Sequence, residues 1–337
     1  MRYQFLAAGM LAALPFAAMV GPVAAQTSDR PVLTVYTYDS FISGWGPGPI
    51  VQEAFEAICD CRLNMVGAGD GAALLARLQL EGAHTEADIV LGLDTNLTAR
   101  AVETGLFAPH GIEAALDLPI AWDDPVFLPF DWGWFAFVHD RERTPTPPAS
   151  FRELIDSDLS VIIQDPRSST PGLGLLMWVK AAYGDEAATI WQGLAPRVLT
   201  VTAGWSEAYG LFLDGEADMV LSYTTSPAYH LIAEDDDTKA AAPFDEGHYL
   251  QVEVAGMVAN SDQPELARQF MEFMLTDIFQ SALPTTNWMY PAVLPQDGLP
   301  DGFEALHLPE TSLLFSADEA AAIRDVALDE WRNALSR

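Results

Sequence analysis

The sequence predicts an α/β protein built as two lobes. Three observations predict it: two βαβαβ runs, a long strand apolar on both faces between them, and a mostly helical tail. The first run occupies residues 32–92. Val32-Leu33-Thr34-Val35-Tyr36 is rich in β-formers, and Pro49 then opens a helix that places Val51, Phe55 and Ile58 on one face. A strand follows near Arg62–Val66, then a helix from about Asp70 with Leu74, Leu75 and Leu78 turned inward, then the strand Asp88-Ile89-Val90-Leu91. A βαβαβ order implies parallel strands joined by right-handed crossovers. In Phe127–Val138, Trp132, Trp134 and Ala136 alternate with Gly133, Phe135 and Phe137, the pattern of a buried strand, read here as a crossing between lobes. The second run comprises the strand Val161-Ile162-Ile163, a helix from about Pro171 to Ala182, the strand Val198-Leu199-Thr200-Val201, the helix Ser206–Leu213 and the strand Met219-Val220-Leu221-Ser222. In the tail, Pro264 starts a helix with Leu266, Phe270, Phe273 and Met274 on its apolar face. Ser316-Ala317-Asp318-Glu319 reads as a capping box ahead of Ile323, Ala327, Trp331 and Leu335.

Composition narrows the function. The chain has 337 residues, 48 acidic against 16 basic, and a formal charge of −32, while half of its residues are apolar. An apolar fraction of that size belongs to a cored globular protein and not to a disordered one. Two Lys and scattered Arg do not make the basic surface that nucleic acid needs. Most of the acidic excess reads as solvated surface, including the run Glu234-Asp235-Asp236-Asp237. Residues 1–25 read as a cleaved secretory signal: Arg2, an apolar run from Phe5 to Val20, and Val23-Ala24-Ala25 before Gln26. An exported protein with no Cys at the cleavage site and no later membrane span is expected to move freely, without a stable membrane anchor. The two cysteines, Cys59 and Cys61, flank Asp60 and leave open a local bridge, a pair of quiet thiols or a metal site short of two ligands.

Ligands of parallel α/β sheets bind beyond the carboxyl ends of the strands. The residues there are Tyr38 and Asp39 with Trp45, Asp70 and Gly71, Asp94, Ser168, Ser169 and Thr170, Trp205, and Tyr223, Thr224, Thr225 and Ser226 with Tyr229. Aromatic faces and carboxylates suit a flat cationic ring. The hydroxyl-rich turn before Pro171, near Arg167, has two readings of equal weight: an anion site at a helix start, or an ordinary helix cap. The turn Gly44-Trp45-Gly46-Pro47-Gly48-Pro49 is Gly-rich but lacks the Lys-Ser/Thr of a phosphate-cradling loop. The six His are dispersed and no nucleophile motif occurs, so binding is preferred to catalysis.

Taken together, VLTVYTYDSF (32–41), WGPGP (45–49), Asp70-Gly71, QDPRSSTPGLG (164–174), GWSEAYGLFL (204–213), LSYTTSPAYH (221–230), EGHYLQVEVA (246–255) and NWMYP (287–291) resemble the periplasmic thiamine-binding proteins over nearly the whole chain after residue 25. These are soluble receptors of thiamine ABC importers. The resemblance implies a type II periplasmic-binding fold, with two parallel-rich sheets flanked by helices and a ligand cleft between lobes. It implies that thiamine, or its monophosphate or diphosphate, is the ligand, that no cofactor is used, and that a membrane permease is the partner of a monomeric receptor. The implied lobes are 26–126 with 245–295, and 127–244 with 296–337. Carried over by position, Asp70, Gly71, Ser169, Thr170, Trp205 and Tyr223 to Ser226 are ligand contacts, and Tyr38, Tyr229 and Trp288 are cleft aromatics. The thiazolium cation and aminopyrimidine of thiamine would engage the aromatics and Asp70 or Asp39. A phosphate would meet Ser169, Thr170 and Ser226. At Asp131-Trp132-Gly133-Trp134 the family pattern would have Tyr in place of both Trp. The alternatives are a thiamine-cleaving enzyme of the same fold, which needs a cleft nucleophile, and a receptor for another cation or a metal such as ferric ion.

Overall fold

A computed structural model of the chain describes residues 30–336. The signal segment predicted at residues 1–25 lies outside them. Eight strands carry the architecture: β1 (Val32–Thr37), β2 (Arg62–Gly67), β3 (Ile89–Asp94), β4 (Phe127–Asp140), β5 (Val161–Gln164), β6 (Val198–Thr202), β7 (Met219–Tyr223) and β8 (His248–Val258). Their order is β2-β1-β3-β8-β4-β7-β5-β6. The outer strands on each side pair in parallel, β1 with β2 and β3, and β5 with β6 and β7, as the two βαβαβ runs require.

Between these parallel sets, β8 and β4 run antiparallel. β4 pairs with β8 through Phe127–Trp134 and with β7 through Phe135–His139, so one strand serves both halves. That is the crossing read from its two-sided apolar pattern, and all but two of its residues are buried. β8 is the second crossing. Every residue of it is buried, although it contains Gln251 and Glu253.

The helices cover the sheet as their apolar faces dictate. α1 (Gly48–Cys59) sets Phe55 against Phe270 and Phe273 of a later helix, with ring centroids 5.0 and 5.3 Å apart. Ile58 departs from the face expected for it and is exposed, one residue before the helix ends at Cys59 and the chain turns at Asp60 in the left-handed region. α2 (Gly71–Glu81) buries Leu74, Leu75 and Leu78 as expected. α3 (Thr170–Tyr183) is buried through ten consecutive residues, Thr170 to Val179, and so runs through the interior. α4 (Ala187–Leu194), α5 (Trp205–Leu213), α6 (Pro227–Ala233), α7 (Pro264–Phe273), α8 (Asp277–Thr286) and α9 (Ala317–Leu335) follow, and two six-residue helices, Thr98–Glu103 and Phe151–Asp156, lie between the longer elements. The capping box at Ser316 and Glu319 is formed in both directions. Cys59 and Cys61 form a disulfide, which removes the thiol and metal readings. No helix among the described residues is long and apolar enough to cross a membrane.

The run Glu234–Asp237 is more than a solvated loop. Glu234 accepts hydrogen bonds from Tyr229 Oη (2.8 Å) and pairs with His230 Nδ1 (2.7 Å), and Asp236 pairs with Lys239 Nζ at 3.1 Å.

Candidate functional site: an aromatic cavity with an acidic floor

The carboxyl ends of the parallel strands from both halves face a cavity of about 500 Å³. On one side the chain leaving β1 supplies Tyr38, Ser40 and Trp45. Gly46 makes the turn that presents Trp45 possible, since a Cβ there would stand 2.2 Å from the Ser40 carbonyl oxygen. On the other side α5 supplies Trp205 and Tyr209, whose rings stack at 5.1 Å and 24°, and Trp45 approaches Trp205 at 6.2 Å. The Trp205 indole N–H donates to Ser222 Oγ (2.7 Å), which bonds Ser226 Oγ (2.6 Å) in turn, so the plane of the ring is fixed from behind.

Tyr223, Ser226 and Tyr229 continue this wall, and Tyr229 meets Trp288 edge to face at 5.4 Å. Trp288 has φ +56°, a left-handed conformation that is costly for a bulky side chain. The backbone holds it there through the Trp288 N–H donating to the Leu283 carbonyl (2.9 Å) at the end of α8. Strain of this kind at a cavity wall points to a positioned ring.

The floor is acidic. Glu253 of β8 reaches the cavity and accepts from Tyr38 Oη (2.8 Å) and Gln251 Nε2 (2.8 Å). Asn287 donates from Nδ2 to Tyr38 Oη (2.9 Å) and to Asp131 Oδ2 (2.6 Å). Strand register places Asp94 and Asp131 opposite Glu253, one on each side. Burial drives the acids of this row upward from the ordinary carboxylate range: Asp94 reaches about 7 and Asp131 about 8, the latter against the pull of hydrogen bonds with Asn287 and Glu253, while Glu253 is pushed well up by burial and then by the charge of Asp131. Asp70 is raised by burial as well, against the pull of its hydrogen bonds from Ser169 and Gly71. Among the described residues, no Lys, Arg or His lines the cavity.

Of the residues singled out from the sequence, Tyr38, Asp70, Trp205, Tyr223, Ser226, Tyr229 and Trp288 line the cavity, as does Trp45. The others are not at its wall. Gly71 is the close contact between two helix starts, where a Cβ would lie 2.2 Å from Thr170 Oγ1. Ser169 is the N-cap residue of α3, but its hydroxyl donates to Asp70 Oδ2 (2.7 Å) and caps nothing. The helix start proposed for an anion is thus faced by the protein's own carboxylate. Arg167, the cation expected nearby, pairs with Asp165. Thr170, Thr224 and Thr225 are buried, with Thr225 Oγ1 3.7 Å from Met289 Sδ. Asp39 is exposed and accepts from the Gly69 N–H at 3.1 Å, holding the loop ahead of α2. Trp134 keeps a donor where a Tyr hydroxyl was expected, with Nε1 bonded to Ser312 Oγ (2.9 Å), and Trp132 stacks on Tyr290 at 4.6 Å.

The cavity residues not foreseen include Ser40, Tyr209, Glu253, Asn287 and Met289. Glu253 had a signal: a charged side chain in an otherwise apolar strand is buried with partners or serves a ligand. Asn287 and Met289 lie in a stretch whose position no periodicity reveals. A second cavity holds His230, Glu234 and Asp236, whose ligand atoms lie within 4.8 Å of one another. Asp236 is already paired with Lys239, and Glu234 is held by hydrogen bonds with Tyr229 and His230.

Two α/β halves joined by crossing strands, with an aromatic cavity at their strand ends, define a solute-binding protein. The chain belongs to the bacterial extracellular solute-binding protein family, whose family model matches residues 48–281. It is 56% identical over 311 residues to the thiamine-binding periplasmic protein of Escherichia coli (strain K12), covering 91% of this chain and 94% of that protein. With the protein of the same name from Brucella abortus biovar 1 (strain 9-941) it shares 52% identity over 317 residues, 93% of this chain and 94% of that one. A solved periplasmic thiamin binding protein superimposes with a TM-score of 0.89 at 56% identity, covering 91% of this chain and 97% of that one. The two-lobed α/β architecture read from the sequence is therefore the fold, and the role is one of binding rather than catalysis.

Proposed function

We propose that this protein is the periplasmic receptor that binds thiamine and delivers it to an ABC importer. The observation that carries the reading is a cavity walled by Trp45, Trp205, Tyr229 and Trp288 with Asp70 and Glu253 at its wall and, among the described residues, no basic side chain there. Thiamine offers what such a cavity takes: a permanently charged thiazolium ring for aromatic faces, and an aminopyrimidine whose amino group can donate to a carboxylate such as Asp70. The likeness to thiamine-binding proteins along nearly the whole chain supports the same ligand. A phosphate on the ligand's hydroxyethyl arm would meet the α3 start only once Asp70 turned away from it.

The division into lobes at 126/127, 244/245 and 295/296, with closure about β4 and β8, belongs to the same proposal. So do release to a membrane permease and a monomeric state, which size-exclusion chromatography with light scattering reads directly. The thiamine-cleaving alternative loses its nucleophile, since both cysteines are spent in the disulfide. The ferric alternative wants adjacent tyrosines as hard oxygen ligands, whereas Tyr223 and Tyr229 are six apart in sequence.

Titration calorimetry tests the ligand. Thiamine is expected to bind with sub-micromolar affinity, and Trp205→Ala to weaken it by about ten- to thirty-fold, the worth of about 1.5–2 kcal/mol of desolvated cation–π contact. Micromolar or weaker binding, or an unchanged affinity in that variant, would overturn the assignment.

A further inference from the structure

Glu253 on β8, which lines the cavity, is the middle of a row of acids across three adjacent strands, with Asp94 on β3 and Asp131 on β4 buried beside it and not at the wall. Like charges directly opposite one another destabilise a sheet, and a buried carboxylate without a cation is costlier still. Asp94 and Asp131 have no exposed surface and Glu253 is 7% exposed. The groups that face the Asp131 and Glu253 pair are Tyr38 from the chain after β1, Asp70 at the start of α2, Asp94 on β3, Tyr223 on β7 and the uncharged Asn287 after α8. None of them is a cation. Asn287 and Tyr38 donate to one oxygen each of Asp131 and Glu253, and Gln251 to the second Glu253 oxygen. Asp131 Oδ1 is buried with no donor from any described residue.

That geometry accommodates one more hydrogen than three ionised carboxylates would carry. We propose that Asp131 and Glu253 share a proton in the ligand-free protein and release it to solvent when a cationic ligand enters, so that the ionised pair becomes the counterion of the ligand's ring. The exchange balances: protonated protein plus thiamine cation gives the complex plus one hydrogen ion, with no bond formed or broken except the carboxyl O–H. The upward displacement of both carboxyls by burial, with the charge of Asp131 adding to it at Glu253 and a hydrogen bond between the two acids, agrees with a shared proton. The inference rests on the thiamine reading and extends it, because it names what discriminates a charged ring from a neutral ring of the same shape. Aromatic walls take either; an acid pair that must lose a proton takes only the cation.

The sign of the pH dependence follows. Below the pK of the pair, binding must expel a proton, so the association constant rises with pH, by up to about tenfold per unit when one full proton is released. Calorimetry with thiamine in two buffers of different ionisation enthalpy, between about pH 6 and about pH 8, counts the protons. Close to one released near neutrality is expected, falling well below one in Asp131→Asn, where Glu253 has lost its repelling neighbour. Infrared difference spectra of the ligand-free protein supply a second readout: the carbonyl stretch of an un-ionised carboxyl, present in the wild type and lost on adding thiamine. Glu253→Gln is expected to abolish proton release and weaken thiamine, with near-ultraviolet circular dichroism confirming the fold. Thiamine binding at full affinity with no proton released, or no un-ionised carboxyl in the ligand-free protein, would overturn this inference and leave the receptor reading standing. Failure to bind thiamine at all would overturn both.

Discussion

His248 shows how a single side chain can set acid stability without touching the cavity. At the start of β8 it lies between two backbone groups: the Phe244 N–H donates to Nε2 (3.2 Å), so Nδ1 must carry the ring proton, which it gives to the Phe135 carbonyl (2.8 Å). Burial and the nearby His307 push its pKa down to about 4, against the pull of the Phe135 carbonyl. Protonating Nε2 would cost the bond from Phe244. The unfolded chain therefore binds the extra proton first, so the contribution is complete above about pH 6.5 and is lost as pH falls towards 4. The full loss is about 3 kcal/mol, and His248→Gln, which can serve both backbone partners without titrating, is expected to flatten it. Urea unfolding at a series of pH values measures the slope; equal slopes in both proteins would remove His248 from the account. At this scale the sequence was legible for aromatic residues just past a strand end, as with Tyr38, Trp205 and Tyr223, whereas Ser169, Thr170, Thr224 and Thr225, picked by the same rule, do not reach the cavity wall. It was not legible where the side chain is placed by a loop. Trp288 takes its position from a left-handed backbone after α8, a conformation no residue pattern around it announces.

Among elements, the short-range patterns translated faithfully. The strands of both βαβαβ runs, the inward Leu74, Leu75 and Leu78, and the Ser316 capping box all depend on interactions within one element and its neighbour. β8 went unread as a strand because Gln251 and Glu253 interrupt its apolar run, and only the acidic floor explains why they are there. The end of α1 is another element whose outcome the sequence left open. The Cys59–Cys61 disulfide closes a loop of three residues, with Asp60 at φ 48° between them. A loop so short removes little freedom from the unfolded chain, about 1.5 kcal/mol at most by the chain-entropy argument. Replacing both cysteines by serine should cost no more than that in chemical denaturation. It should leave thiamine affinity unchanged, because neither residue reaches the cavity wall. A large loss of affinity would mean that the end of α1 orders the Trp45 turn.

The whole molecule carries its charge in two places with different physics. Most of the −32 is exposed acid beyond the reach of 16 basic residues, while a few carboxyls, Asp70, Asp94, Asp131 and Glu253, lie in the interior beside the cavity. The exposed set acts at long range and through water, so it attracts a small cation during approach and is screened within about 10 Å at 0.1 M salt, against about 30 Å at 0.01 M. The interior set is sheltered from mobile ions and acts only on a ligand already seated. Salt should therefore separate the two. Raising sodium chloride from about 0.01 M to about 0.5 M is expected to slow thiamine association by about tenfold while leaving its dissociation rate nearly unchanged. Stopped-flow tryptophan fluorescence follows both, given that Trp45, Trp205 and Trp288 line the cavity. The same salt should raise the melting temperature of the ligand-free protein, since it screens the mutual repulsion of the exposed acids. If instead dissociation accelerates with salt while association holds steady, the bound cation is being held by charges that solvent ions can reach. The acidic floor would then not be what retains it.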